Sequence, residues 1–153
     1  VSTYKVAILM GSPNDRPKME PAAETLESFG ITADVRVMSA HRTPTQVAEF
    51  VGSARQEGYA AIICGAGMAA HLAGAAAAHT TLPVVGVPLS GGALNGVDAL
   101  YATVQMPRGV PVATVAVDGA VNAALLVVQM LAISDTTLVD ALAEDREARA
   151  AVR

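Results

Sequence analysis

The sequence predicts an α/β protein: a three-layer αβα sandwich with a parallel, flavodoxin-like sheet. Three observations predict it. Short apolar runs alternate with longer helical patterns five times over, which means a parallel sheet with helices on both sides. The first four runs are continuous apolar stretches more than strict alternations, as for strands buried on both faces. Each run is rich in Val, Ile or Leu and bounded by Gly, Pro or Ser.

The predicted strands are Lys5–Met10, Ala33–Met38, Ala60–Cys64, Pro83–Val87 and Val112–Val117. The helices between and after them are Pro17–Phe29, Pro44–Glu57, Ala69–His79, Asn95–Val104 and Gly119–Ile133. For a domain of this size the expected strand order is 2-1-3-4-5, by analogy. The 153 residues fit one domain with a sizeable core. Residues 1–134 make the α/β domain. Residues 135–153 carry a run of charges and are expected to be a C-terminal helical arm of the same domain. Ala69–His79 and Gly119–Ile133 have almost no polar face, and a helix apolar all round must be covered on all sides. The expected cover is a second copy of the chain, with the C-terminal arm folding back as the second choice.

Composition excludes several classes. Hydrophobic residues are 52% and charged residues 16% of the chain, so it is globular and not disordered. The net charge is -4 with no basic run, which argues against a nucleic-acid surface. The longest apolar helical run, Ala120 to Ile133, is shorter than the roughly 20 residues that span a bilayer. Cys64 is the one cysteine, so no intrachain disulfide forms. With no secretory pattern at the start, a reducing, cytoplasmic compartment is expected.

Ligands of open parallel sheets bind beyond the carboxyl ends of the strands. Polar and glycine residues gather at four such ends: Gly11–Asp15, Ser39–Pro44, Gly65–His71 and Pro88–Gly92. In the second, Thr43-Pro44-Thr45-Gln46 matches a capping box with Pro at the first helical position. That puts His41 and Arg42 just before a helix N-terminus, which favours anions. Arg42 adds a cationic fork suited to phosphate. Two readings of His41 stand: a loop histidine bonding a backbone carbonyl, or a group that gives and takes a proton near neutrality. Asp15 either caps the next helix or binds sugar hydroxyls, since a carboxylate would repel phosphate. Ser12 is a donor for an anionic oxygen.

Gly65 to Ala70 spells G-x-G-x-x-A but follows the wrong strand for a dinucleotide site and lacks its acidic partner. Its glycines are expected to let the backbone pass close to a small ligand. His71 is either an interior histidine within the next helix or a second polar wall of the site. His41, His71 and His79 lack metal-ligand spacing. No Walker loop or serine-nucleophile signature occurs. Cys64 is expected to be inert.

Four blocks together carry a resemblance. They are Met10-Gly11-Ser12 with Asp15, then Ser39-Ala40-His41-Arg42-Thr43-Pro44, then Gly65-Ala66-Gly67 with Ala69-Ala70-His71-Leu72, then Val104-Gln105-Met106-Pro107. The chain resembles the N5-carboxyaminoimidazole ribonucleotide mutases over nearly its whole core. The resemblance implies a cofactor-free isomerase of purine biosynthesis that makes 4-carboxy-5-aminoimidazole ribonucleotide. It implies an octamer with sites at subunit junctions, and no metal. It makes His41 the general acid and base, with Arg42 on phosphate, Asp15 on ribose and Ser12 also on the substrate. Ser39, Ala66, Gly67, His71 and Leu72 match positions that line the site. A related class uses free carbon dioxide; Arg42 and Ala69–Leu72 favour the mutase over it. A nucleotide-binding module without catalysis is the alternative of another class. Departures from the family pattern are Met68 where Gly is usual, Ala73 for Pro, a looser Gly91-Gly92, and a shorter stretch at Asp118–Val121. Met68 is expected to be strained if its position takes positive φ.

Overall fold

The computed structural model describes residues 3–152. Its strands are β1 (Lys5–Met10), β2 (Thr32–Val37), β3 (Tyr59–Gly67), β4 (Val84–Leu89) and β5 (Ala113–Thr114). Its helices are α1 (Arg16–Ser28), α2 (Pro44–Ala54), α3 (Leu72–His79), α4 (Val97–Val104), α5 (Ala120–Ala132) and α6 (Thr136–Ala151). The sheet is parallel throughout, in the order β2-β1-β3-β4-β5, as the alternation predicts.

Alternate residues of β1 enter different cores, because strand side chains alternate in direction. Val6, Ile8 and Met10 join α1 and α5 residues such as Leu26 and Val127. Ala7 and Leu9 join Val47, Val51 and Ala76 from α2 and α3. Both faces of the sheet are therefore covered, which is what makes a parallel sheet stable.

Three expectations need correction. β2 is an edge strand with none of its residues buried, and it carries Asp34 and Arg36. An edge position needs no continuous apolar run, and the Asp34–Arg36 ion pair sits in the open. α3 begins at Leu72, so His71 stands at its N-cap and not inside the helix. The third correction concerns α5. Its outer side is covered by α6, whose Leu138 is buried among Val127, Val128 and their neighbours. The cover placed second thus accounts for this helix. Exposed apolar side chains remain around α4, at Leu94, Val97, Tyr101 and Val104, and beside α5 and α6, at Ile133 and Val139.

Gly86 in β4 shows how tightly the layers meet. An added Cβ there would overlap Thr103 of α4 and lie 3.1 Å from Val112 and 3.2 Å from Ala73 of α3. Gly52 in α2 faces open space. Gly86→Ala is expected to destabilise the chain by about 1–3 kcal/mol through overpacking. Gly52→Ala is expected to stabilise it by about 0.5–1 kcal/mol through helix propensity. Urea unfolding midpoints check both, and opposite signs are the expected result.

Candidate active site at the carboxyl edge of the sheet

The loops after β1, β2, β3 and β4 enclose a cavity of about 410 Å³. All nine residues singled out in the sequence line it: Ser12, Asp15, Ser39, His41, Arg42, Ala66, Gly67, His71 and Leu72. It opens to solvent through His41, Arg42 and His71, which are exposed, while Leu72 closes its inner wall at 1% exposure.

The β2 loop is wound on itself. Ser39 Oγ accepts from the backbone N–H groups of His41 (3.3 Å) and Arg42 (3.1 Å). Ser39 N–H donates to Thr43 Oγ1 at 2.8 Å, and that hydroxyl lies 3.2 Å from the Ser39 carbonyl, to which it donates. Thr43 is the N-cap of α2, yet its side chain makes no capping bond. The predicted capping box is therefore absent, although the helix starts at Pro44 as expected. Thr43 spends its hydroxyl on the loop, which fixes the backbone that bears His41.

His41 Nε2 and His71 Nδ1 share a hydrogen bond of 2.8 Å, with ring centroids 4.8 Å apart and planes at 78°. Whichever ring donates, the other must present a bare nitrogen, so the bond couples the two tautomers. The reading of His41 as a backbone-bonded loop residue is not what the structure shows, because its ring bonds to another imidazole.

Asp15 sits at the N-cap of α1 without a side-chain cap bond, so it is not spent on the helix. Burial raises its pKa, against the lowering by the Ser12 backbone bond, Lys18 and Arg42. Ser12 Oγ accepts from Asn14 N–H at 3.2 Å. Among the described residues the Arg42 guanidinium has no hydrogen-bond or ion-pair partner. It is an unpaired cationic fork at the cavity rim, the feature a phosphate requires.

The two glycines after β3 do different work. Gly67 lines the cavity, as expected. Gly65 faces α1, where an added Cβ would overlap Met19, so it serves helix packing and not a ligand. Met68 has φ 51, the left-handed region in which a side chain is strained. It is 60% exposed and lies over Gly92, whose added Cβ would be 3.1 Å from Met68 Cγ. Cys64 is wholly buried and its thiol pKa is pushed up by burial, which makes it a poor nucleophile.

Three contributors escaped the sequence reading. Asn14 lines the cavity between Ser12 and Asp15. Lys18 and Asp118 meet at Ser90. Lys18 Nζ donates to the Ser90 carbonyl at 2.6 Å and to Ser90 Oγ at 2.9 Å. Asp118 Oδ1 accepts from Ser90 N–H at 2.9 Å and Oδ2 from Ser90 Oγ at 2.5 Å. Burial resists ionisation of Asp118, but the Ser90 bonds and Lys18 outweigh it and lower its pKa. Two signals pointed to these residues. Lys18 is one helical turn beyond Asp15, and Asp118 follows the fifth strand, whose carboxyl end obeys the same rule as the other four.

Among the described residues, no three His, Cys, Asp or Glu side chains are grouped to hold a metal ion. No described helix is long and apolar enough to cross a membrane.

Fold and cavity define a flavodoxin-like α/β domain with an imidazole pair and a free guanidinium at its strand ends. The AIR carboxylase family model matches residues 5–151, and the chain belongs to that family. It is 53% identical over 146 residues to the N5-carboxyaminoimidazole ribonucleotide mutase of Brucella melitensis biotype 1, covering 94% of this chain and 90% of the relative. It is 51% identical over 147 residues to the mutase of Escherichia coli K12, covering 95% of this chain and 87% of that one. It is also 50% identical to the chloroplastic phosphoribosylaminoimidazole carboxylase of Vigna aconitifolia, but spans only 26% of that longer protein. The crystal structure of Treponema denticola PurE superimposes with a TM-score of 0.86 at 28% identity, covering 95% of this chain and 91% of that one.

Met68→Gly is expected to stabilise the chain by about 1 kcal/mol, because positive φ strain disappears and little buried surface is lost. A rise in the urea midpoint checks it, and a fall would mean that contact with Gly92 outweighs the strain.

Proposed function

We propose that the chain is an N5-carboxyaminoimidazole ribonucleotide mutase, an isomerase of purine biosynthesis, with His41 as its proton-transfer group. The observation that carries this is the His41–His71 hydrogen bond at the mouth of a cavity that also holds Arg42 and Asp15. The names of the relatives supply the substrate.

The residues divide the ribonucleotide among them by charge. Arg42 offers a bidentate fork to the phosphate. Asp15 accepts from ribose hydroxyls, since a carboxylate facing the phosphate would repel it. Ser12 and Asn14 add neutral polar groups. The base then lies against Ala66, Gly67 and Leu72, which bring no competing polar side chain.

His41 in its protonated form gives a proton to the carbamate nitrogen. The C–N bond breaks, and carbon dioxide departs beside aminoimidazole ribonucleotide. The ring carbon attacks the carbon dioxide, a C–C bond forms, and the now neutral His41 removes that carbon's proton. The imidazole ends as it began, so one residue serves both half-reactions. His71 holds the facing nitrogen and so fixes which ring edge is presented. The small side chains keep water from the departed carbon dioxide.

A second reading has a specific observation behind it, because phosphoribosylaminoimidazole carboxylases match at about the same identity as the mutases. That enzyme would take free carbon dioxide and aminoimidazole ribonucleotide. We further propose a cytoplasmic homo-oligomer, the octamer that the resemblance implies. The support is the exposed stripe Leu94, Val97, Tyr101 and Val104 around α4, at roughly helical spacing beside the cavity loops. Exposed apolar stripes of this kind mark protein contacts.

Freshly made N5-carboxyaminoimidazole ribonucleotide, without ATP or bicarbonate, is expected to give the ring-carboxylated product. His41→Asn is expected to lower kcat by about 100-fold to 10,000-fold, the usual contribution of a general acid–base. Product only from aminoimidazole ribonucleotide with bicarbonate would move the chain to the carboxylase reading. Binding without either reaction would leave a nucleotide-binding module.

A further inference from the structure

The cavity wall formed by Ser90, Gly91 and Gly92 is soft by composition. Gly91 (φ 139) and Gly92 (φ 65) both lie in the left-handed region and have no side chains to pack. Met68 rests on Gly92 from the opposite loop. A wall of two glycines that supports an exposed methionine needs an anchor, and the structure supplies one at Ser90.

Ser90 is gripped from two sides. α1 sends Lys18 to its carbonyl and hydroxyl, and the loop before α5 sends Asp118 to its N–H and hydroxyl. Three polar atoms of one residue are thus held by two ions of opposite sign, and charge-assisted bonds are the stronger kind. Asp118 adopts φ 59 to reach, a conformation that Asp tolerates better than most residues. Its backbone is held in the same turn, since Asp118 N–H donates to the Pro88 carbonyl at 2.9 Å and its carbonyl accepts from Ala120 N–H at 3.0 Å, and among the described residues its carboxylate bonds to Ser90 N–H and Oγ.

We propose that Lys18, Ser90 and Asp118 form a latch that seats the Gly91-Gly92 wall and Met68 over the cavity, and so governs how much of the released carbon dioxide is recaptured. The inference rests on the mutase reading for its chemistry but not for its geometry. Lys18 and Asp118 do not touch the cavity and act through Ser90, which makes them positioning residues. With the latch intact, carbon dioxide meets the ring carbon before it meets bulk water. With the latch open, the C–N bond still breaks, carbon dioxide escapes, and aminoimidazole ribonucleotide is left with the proton that His41 gave. An open latch therefore changes the partition of products and leaves the first proton transfer intact.

Two readouts on the full chain test this, with Lys18→Met and Asp118→Asn as variants. Asn is chosen because it accepts positive φ, so backbone strain does not confuse the result. The first readout is the ratio of ring-carboxylated product to free aminoimidazole ribonucleotide, corrected for breakdown of the substrate without enzyme. The second is hydrogen exchange of the Ser90 amide by NMR, which needs no substrate. Each variant is expected to lower the product ratio by about 10-fold, as loss of charged hydrogen bonds would, and to speed Ser90 exchange by a similar factor. Lys18→Arg, which can donate to the same two acceptors, is expected to recover most of the ratio lost in Lys18→Met. Unchanged Ser90 exchange would overturn the latch itself. Faster exchange with an unchanged ratio would overturn its role in recapture. If the wild-type chain forms no product at all, the mutase reading fails and takes the recapture role with it, while the exchange rates still decide whether the latch exists.

Discussion

Because all five strands run parallel, every loop that follows a strand leaves from one edge of the sheet. That constraint puts Ser12, His41, His71 and Ser90 on four separate loops around one cavity, although 78 residues of sequence separate the first from the last. Two apolar cores hold the strands in place, one against α1, α5 and α6 and the other against α2 and α3. The site costs the core nothing, since its polar groups all stand beyond the last buried residue of each strand. Among the described residues no buried side-chain polar atom lacks a partner.

Within that frame each loop is fixed by bonds of its own. The β2 loop is tied by Ser39 and Thr43, and it therefore presents His41 to His71 at 2.8 Å without help from a helix cap. The β4 loop is tied by Lys18 and Asp118. Arg42 is the exception, a guanidinium without a partner among the described residues. A fork that the fold does not use is available to a ligand that enters. An imidazole held in one orientation beside a free cation is the arrangement on which the proposed proton transfer rests.

Much of this was legible in the sequence. Strand–helix alternation gave the parallel sheet, analogy with domains of this size its order, and the strand-end rule pointed to the loops that bear Ser12, Asp15, His41 and Arg42, while Ser39, Ala66, Gly67 and Leu72 came from the family resemblance. Side-chain partners were not legible. Thr43 looked like a cap by its spacing but bonds to Ser39, since a hydroxyl four residues from a backbone group has two acceptable partners and only the folded loop chooses. Gly65 and Gly67 have the same residue type and, two apart on one strand, face the same side of the sheet, but Met19 packs over the first while the second lies at the strand end and lines the cavity. The strain at Met68 was foreseen from its departure from the family pattern. The grip of Lys18 and Asp118 on Ser90 joins residues 72 and 28 positions away, and no local pattern encodes it. The cover of α5 was placed second for a similar reason. The charge of the C-terminal segment suggested solvent, while its few apolar residues, above all Leu138, decide the packing.

The central claim is that the carboxyl group moves within one cavity from nitrogen to ring carbon. Isotope retention tests it most directly. Substrate carrying carbon-13 in its carbamate would be converted in the presence of excess unlabelled bicarbonate, and the product carboxyl examined by mass spectrometry. The account predicts that the label is retained in most product molecules. A product carrying the unlabelled carboxyl would contradict it, because the carbon dioxide would then have come from solution.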